Sequence, residues 1–97
     1  VLIGEFVSIR DSTHSHADVS VPIKLQRDVI GSIFIEDDVW IGRGTLILGC
    51  TEGVVIGHGA VIGANSVVSQ SVPAMTVVAG APARHIGTRG LQQPDVS

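Results

Sequence analysis

The sequence predicts an all-β fold in which short strands stack in successive coils, and this prediction depends on composition and on one repeat. Of the 97 residues, 26 are Val or Ile and only 3% are aromatic, and small β-branched side chains favour strands over helices. Aliphatic residues recur every six positions, a spacing that neither an amphipathic helix nor an alternating strand sustains. A period of six is typical of a parallel β-helix, in which three hexapeptides make one triangular coil.

The hexapeptide repeats are constrained at two positions. An aliphatic residue opens each repeat, and after most of them a small or β-branched residue stands four positions later. The opening residues are Ile3, Ile9, Ile35, Ile41, Ile47, Ile56, Ile62 and Val68, and the later residues are Val7, Thr13, Val39, Thr45, Ala60, Ser66 and Val72. Gly, Asp, Glu and Asn fill many of the positions in between, which suits tight turns. We therefore expect short strands with their aliphatic side chains stacked inside the coil.

The repeat is interrupted twice. Ile47 and Ile56 are nine positions apart, which predicts a three-residue bulge. Ile9 and Ile35 are 26 positions apart, which we interpret as two hexapeptides, the first being IRDSTH, plus 14 extra residues. A long loop inside a compact repeat is usually either functional or disordered. The larger interruption is therefore the first place to look for a site.

A chain of this length fits one domain with a modest core. We predict that a β-helix domain covers residues 1–87, that a loop over 15–32 protrudes from it, and that 88–97 form a flexible tail. The stretch SVPAMTVVAGAPARHIG is expected to close the C-terminal end of the stack, because a solenoid end exposes unpaired backbone. The repeat is already in progress at Ile3 and the first residue is not Met, so we also expect further residues upstream in the natural protein.

Composition argues against several classes of protein. The net charge is -3 and the sequence has no basic run, so we expect no nucleic-acid partner. No apolar stretch approaches the roughly 20 residues that a membrane-spanning helix needs. The lone Cys50 cannot form a disulfide within the chain, which suits a reducing compartment. A cytoplasmic protein without a membrane span is the expectation.

Two longer stretches resemble the hexapeptide acyltransferases, in particular the maltose, galactoside and xenobiotic acetyltransferase branch and its capsule-sugar relatives. These stretches are IEDDVWIGRGTLILGC and VVIGHGAVIGANSVVSQSVPAMTVVAGAPARHI. The resemblance implies a left-handed parallel β-helix and a homotrimer with active sites in the clefts between subunits. It also implies acetyl-CoA as co-substrate and transfer of the acetyl group to a hydroxyl of a sugar or sugar-like acceptor.

The resemblance also implies a catalytic base in the first interrupted repeat. The segment IRDSTH resembles the family segment whose final histidine is the base, and here that residue is His14. Histidine suits the role because its pKa lies near neutral pH. His16 is the competitor for this role and otherwise an acceptor-binding residue. Asp11 is expected either to bind an acceptor hydroxyl or to orient the His14 ring, with a solvated turn aspartate as the alternative.

A coenzyme site is implied by matches to family segments that line the groove for acetyl-CoA. The matching residues are Trp40, Gly42, Arg43, Ala64, Ser69 and Arg84. Arg84 matches an arginine near the adenosine phosphates, for which a guanidinium is well suited, and Arg89 could assist. This sequence departs from the family pattern at Gln70, where a lysine is usual. One expected positive charge is therefore missing.

The sequence also leaves two other interpretations open. The first is a β-helix that acts as a non-catalytic assembly or binding module. The second is a zinc enzyme like the γ-class carbonic anhydrases, which resemble this fold and need two histidines five positions apart. Gly63 stands five positions after His58, so that pattern is incomplete and we expect no metal. His58 and His85 are assigned no role and are expected to be exposed.

Overall fold

The computed structural model describes residues 1–14, 19–20 and 28–90, and for 12–14 and 28–30 it describes the backbone. Within these ranges the structure is built from short strands and contains no helix, so none of it has the form of a membrane-spanning helix. The strands are β1 (Leu2–Ile3), β2 (Ser8–Arg10), β3 (Ser12–His14), β4 (Asp28–Ile30), β5 (Ile33–Ile35), β6 (Trp40–Ile41), β7 (Leu46–Leu48), β8 (Val54–Ile56), β9 (Val61–Ile62), β10 (Val67–Val68), β11 (Thr76–Ala79) and β12 (Arg84–Thr88).

Three parallel sheets make up most of the structure. The first sheet contains β1, β6, β9 and β11, the second contains β2, β7 and β10, and the third contains β5 and β8. A parallel bridge from Ile56 to Val72 continues the third sheet. The chain visits the three sheets in the same order each time, and we call one such passage a coil. This is the stacking of short strands that the hexapeptide period predicts.

The core consists of ladders of aliphatic residues that occupy the same register position in successive coils. In the first sheet Ile3, Ile41 and Ile62 are register partners in turn, and adjacent strands lie about 4.8 Å apart. Ile41, Ile47, Ile56 and Ile62 are each 0% exposed, whereas Ile3 at the N-terminal end of its ladder is 54% exposed. The ladder is therefore exposed at its N-terminal end, where no described coil stacks on Ile3, and buried where coils stack on both sides.

The small residues of the repeat fill the corners of the core. Thr45 and Ser66 are buried, and both hydroxyls donate to the carbonyl oxygen of Gly63, over 3.1 and 2.6 Å. These bonds satisfy hydroxyls that would otherwise be costly to bury. At the same corner, a Cβ on Gly42 would lie 2.6 Å from the backbone nitrogen of Ala64. Only glycine allows the two coils to approach this closely there.

Two corners of the coil keep a strict step of six between ladder residues, and the third does not. The corners from the first to the second sheet and from the third to the first keep it. From the second to the third sheet the steps are 26, nine and four residues, between Ile9 and Ile35, Ile47 and Ile56, and Val68 and Val72. We call this third edge, formed by residues 11–32, 49–53 and 69–71, the variable corner. Val72, expected to be the small residue of a repeat, is instead a ladder residue.

The first insertion at the variable corner is an antiparallel arm made of β3 and β4. Ser12 pairs with Ile30 and His14 with Asp28, and the amide of Gly31 donates to the carbonyl of Asp11 over 2.7 Å. Ile9 and Ile35 thus lie on consecutive sheets, so the insertion is 20 residues over one hexapeptide, not 14 over two. The chain leaves the coil after Asp11, earlier than the predicted loop boundary at residue 15. Thr13 stands four positions after Ile9, which is the spacing of a regular repeat, and this led to the prediction of a second hexapeptide.

The C-terminal end of the stack is closed by β12, which runs antiparallel to β11 with a bulge after Val77. The Arg89 amide donates to the carbonyl of Met75, and its guanidinium bonds the Gly59 carbonyl at 3.1 Å and the Asp38 carboxylate at 3.0 Å. One side chain thus links the corners of successive coils. Residues 88–90 belong to the folded part, which corrects the predicted start of the tail. Residues 91–97 lie outside the described residues.

Candidate active site

The variable corner brings together the arm, the bulge and the last turn before the closing segment. A bridge joins Ser32 to Cys50, and the amide of Gly49 donates to the carbonyl of Arg10 over 2.8 Å. A Cβ on Gly31 would overlap the backbone of Cys50, so glycine is needed where the arm returns to the coil. The base of the arm is therefore fixed against the next coil by backbone contacts.

The predicted base and acceptor residues belong to this arm. His14 is the last residue of β3, where its register partner is Asp28. Asp11 is exposed at the base of the arm, and its backbone carbonyl is occupied by the Gly31 amide. His16 lies outside the described residues. The structure thus places Asp11 and the His14 backbone on one protruding element.

A pocket of about 470 Å³ lies at the C-terminal end of the variable corner. Its apolar part is formed by the last ladder residues Val68, Val72 and Val78. Its polar lining consists of Ser69, Gln70, Ser71, Thr76, Arg84 and His85. Among the residues that the structure describes, no Asp or Glu lines it, although the chain as a whole carries a net charge of -3. Basic and hydroxyl groups without a carboxylate favour an anionic ligand.

Two of the predicted coenzyme residues, Ser69 and Arg84, line the pocket. Other lining residues were not indicated by the sequence. His85 was expected to be an exposed surface residue without a role, and it is exposed at the pocket. Its position follows from the antiparallel pairing of β12, in which His85 is the register partner of the ladder residue Val78. No local pattern in the sequence could have revealed that pairing.

The remaining predicted coenzyme residues lie elsewhere on the chain. Trp40 is 37% exposed in the first sheet, where its register partners are Leu2 and Val61. Gly42 and Arg43 follow it at the corner with the second sheet, next to Ala64 of the following coil. The Arg43 guanidinium lies 5.0 Å from the centre of the Phe6 ring, within cation–π range.

Among the predicted coenzyme residues, Ser69 belongs to the variable corner, and Trp40, Gly42, Arg43 and Ala64 lie on and beside the first sheet. Arg84 begins β12, where its register partner is Ala79 at the end of β11 in the first sheet, and it also lines the pocket. Ser69 and Arg84 are the two predicted coenzyme residues in the lining of this pocket.

A metal site would need at least three suitable side chains close together. In the part of the chain that the structure describes, no three His, Cys, Asp or Glu side chains are grouped so as to hold a metal ion. His58 is exposed at a corner, where its backbone amide donates to the Glu36 carboxylate over 2.9 Å. That contact stabilises a turn and does not involve the imidazole.

Similarity to known proteins extends over most of the chain, although no family model matches it. The chain is 37% identical over 92 residues to WbbJ of Escherichia coli (strain K12), which is assigned as an O-acetyl transferase of lipopolysaccharide biosynthesis; the match covers 88% of this chain and 45% of WbbJ. It is 38% identical to the hexapeptide-repeat-containing acetyltransferase VCA0836 of Vibrio cholerae, with a TM-score of 0.76 over 89% of this chain and 47% of that chain. Over most of its length the chain is a relative of the hexapeptide-repeat acetyltransferases.

A further acetyltransferase structure gives the same result. The maltose O-acetyltransferase of Clostridium difficile 630 is 34% identical with a TM-score of 0.76, over 89% of this chain and 43% of that chain. VCA0836 is also known in complex with acetyl-CoA, and that structure matches 84% of this chain with a TM-score of 0.73. The chain spans less than half the length of each of these relatives. The predicted family is confirmed.

Proposed function

We propose that the chain carries the catalytic β-helix of an acetyl-CoA-dependent O-acetyltransferase, with the helix left-handed as in its family. The observation that carries this proposal is the variable corner, where a protruding arm that includes His14 stands at the same edge as a pocket with basic and hydroxyl groups. The match to an acetyl-CoA complex of VCA0836 supports the choice of coenzyme.

In the proposed reaction His14 acts as general base. An alcohol is a weak nucleophile, so His14 removes the hydroxyl proton while the acceptor oxygen attacks the thioester carbonyl. The carbon–sulfur bond then breaks, and the coenzyme thiolate takes the proton from the imidazolium as it leaves. No covalent enzyme intermediate is required. Asp11 and His16 would bind the acceptor, since both belong to the same excursion from the coil.

Coenzyme binding is proposed to use the pocket and the surface beside the first sheet. Arg84 would hold a phosphate group of the coenzyme, because a guanidinium forms paired hydrogen bonds with phosphate oxygens, and Ser69 would bind nearby. Trp40, Gly42, Arg43 and Ala64, on and beside the first sheet, would line the groove for the rest of the coenzyme. A homotrimer in which neighbouring subunits share each site is proposed from the resemblance to the family.

The acceptor is proposed to be a sugar or sugar-like hydroxyl. Two relatives support this class, since WbbJ is assigned to lipopolysaccharide biosynthesis and another relative is a maltose O-acetyltransferase. A cytoplasmic location is proposed as well, because a single cysteine offers no internal disulfide and suits a reducing compartment.

Release of free thiol from acetyl-CoA in the presence of a panel of sugars tests the activity. We expect turnover by the wild type, and a fall in kcat of about 10²- to 10⁴-fold in His14→Gln. The matched control is His58→Gln, an exposed histidine at another corner, which should keep the wild-type rate. A rate in His14→Gln equal to that of the wild type would exclude His14 as the base, and His16→Gln then tests the competitor.

Two further measurements test the coenzyme site and the assembly. Replacing Arg84 with Ala should raise the KM for acetyl-CoA about tenfold or more, because a charge-assisted bond is lost, and Arg84→Lys should restore part of the affinity.

Sedimentation equilibrium tests the proposed trimer and should give three times the chain mass of 10.1 kDa. Acetyl-CoA binding without transfer to any acceptor would instead favour the non-catalytic binding module.

A further inference from the structure

We propose that His85 binds a phosphate group of the coenzyme beside Arg84 and makes the pocket specific for a phosphate-bearing ligand. This inference rests on the proposed function in naming the coenzyme as that ligand. It comes from the pairing of β12 with β11, because a bulge places His85 opposite the ladder residue Val78. The sequence shows no pattern that would assign this position to a ligand.

The bulge places a polar residue where regular pairing would place an apolar one. Val77 pairs with Gly87. An unbroken ladder would therefore continue with Ile86 opposite Val78. Instead Val78 pairs with His85, and Ile86 is the extra residue, 38% exposed. Isoleucine opposite a buried valine would remove more apolar surface from water, and bulges next to functional sites often re-aim a side chain. The bulge thus favours a ligand contact over packing at this position.

The pairing also fixes the side of β12 on which the imidazole lies. Direct partners in an antiparallel pair have their side chains on the same face, with Cβ atoms about 5 Å apart. Val78 is 6% exposed, belongs to the core cluster and lines the pocket. The His85 ring therefore stands beside the apolar end of the pocket, where it is exposed. Within the described residues it has no side-chain hydrogen bond or ion pair, so its ring nitrogens can bind a ligand.

The groups around His85 in the pocket are suited to phosphate oxygens. Arg84 lines the same pocket, and Gln70 adds a side-chain amide. The Ser71 hydroxyl accepts the amide of Val55 over 2.9 Å and can donate its own proton. Guanidinium and imidazolium groups form charge-assisted hydrogen bonds with phosphate. A ligand without such oxygens would leave several donors unpaired.

The pocket lies at a distance from the arm that suits a remote part of the coenzyme. The amide of Ala83 donates to the carbonyl of Val67 over 2.9 Å, which holds the start of β12 against β10. The arm leaves the coil of β2, and β7 lies between β2 and β10 in the second sheet. Two strand spacings of about 4.8 Å place the pocket about 10 Å from the base of the arm. A phosphate bound at His85 thus leaves room for the thioester to extend toward the arm.

Isothermal titration calorimetry with adenosine 3′,5′-bisphosphate tests the contact in the full 97-residue chain. This probe carries phosphates of coenzyme A without the thioester. In His85→Gln we expect the Kd to rise about five- to tenfold, because a charge-assisted hydrogen bond is lost. His58→Gln, an exposed histidine at another corner, is the matched control and should leave the Kd unchanged. Uncharged adenosine should not distinguish His85→Gln from the wild type.

A second variant separates a phosphate contact from a structural role of His85. Gln70 lines the pocket from the variable corner, on the wall that faces β12. Adding Gln70→Lys to His85→Gln supplies a positive charge from that wall and should recover most of the lost affinity for the bisphosphate. A distorted β12 would not be repaired by a charge on another segment. A loss in His85→Gln that Gln70→Lys does not reduce would therefore overturn the inference.

Turnover supplies a readout that separates this inference from the proposed function. His85→Gln should raise the KM for acetyl-CoA by a similar factor with little change in kcat, because the reacting atoms lie toward the arm. An unchanged Kd for the bisphosphate in His85→Gln, or no binding of it by the wild type, overturns the inference. A wild type that binds the bisphosphate through His85 but transfers no acetyl group overturns the proposed function alone.

Discussion

At two corners of the coil every turn has the same length, whereas at the variable corner the chain adds 20 residues, then adds three, then omits two. Despite this, Ile9 stays in register with Ile47, and Ile35 with Ile56. The sheets therefore do not require the variable corner to have any fixed length. The two regular corners maintain the stack, and the third edge accepts the elements to which we assign chemistry. The following experiments test that division.

The largest expected effect is on the free energy of unfolding, when a ladder residue inside the stack is compared with an end residue of the same ladder. Ile47 is 0% exposed between Ile9 and Val68, so Ile47→Ala should lower the free energy of unfolding by about 3 kcal/mol through lost burial and a cavity. Ile9 is 43% exposed, and Ile9→Ala should cost about 1 kcal/mol or less. Urea unfolding followed by circular dichroism measures both. Equal losses would show that the first coil is buried by something else.

A single methyl group added at a regular corner should destabilise the fold. In Gly42→Ala the new Cβ meets the backbone of Ala64, and we expect a loss of about 2 kcal/mol in the free energy of unfolding. Ser69→Ala at the variable corner is the contrasting change, with an expected effect within about 0.5 kcal/mol because Ser69 is exposed. The same urea titration compares them. If Gly42→Ala were harmless, the regular corners would not be the constrained ones.

The hydrogen bond from Arg89 to the Gly59 carbonyl should stabilise the fold more than the ion pair of Arg89 with Asp38 does. Replacing Arg89 with Ala removes the bond to Gly59 and the bridge to Asp38, with an expected loss of about 1 kcal/mol. Asp38→Asn removes only the charge of an exposed partner and should have a much smaller effect. Thermal unfolding of the two variants ranks the contributions. A larger effect from Asp38→Asn would contradict this assignment.

The smallest effect concerns the shortened turn of the variable corner. The Ser71 hydroxyl accepts the amide of Val55 over 2.9 Å, so a side chain supplies the acceptor that a backbone carbonyl supplies elsewhere in the stack. Ser71→Ala should speed exchange of the Val55 amide by up to about tenfold. The Leu46 amide, which donates to the carbonyl of Ser66, should be unchanged. Hydrogen exchange measured by NMR resolves the two amides.

Much of the stacking could be predicted from the sequence because it repeats locally. Ile41, Ile47, Ile56 and Ile62 follow the period and are all buried. The first interruption was misread because Thr13 stands at the spacing expected of a small residue, although its strand pairs with Asp28–Ile30 far along the chain. Such pairing has no periodic signature. The hand of the coil likewise came only from resemblance, since a period of six is compatible with either hand.

Residues of the candidate site could be predicted where the sequence matches family segments. Residues that reach the site through antiparallel strand pairing could not. Ser69 and Arg84 were expected and do line one pocket. His85 was missed as a pocket residue because its place depends on the antiparallel turn of β12 onto β11. The partner relation of His14 and Asp28 was missed for the same reason. Residues brought together by strands of opposite direction carry no fixed spacing.

The closure of the arm by the contact between Gly31 and Asp11 has a consequence in polymer terms. Once the two ends of an excursion are fastened, the entropy lost in closing it grows only with the logarithm of its length, by about 0.6 kcal/mol for each doubling. An arm could therefore lengthen or shorten by several residues while the coil beneath keeps nearly the same stability. Evolution can vary the reach of such an arm, and with it the acceptors it meets, without redesigning the core.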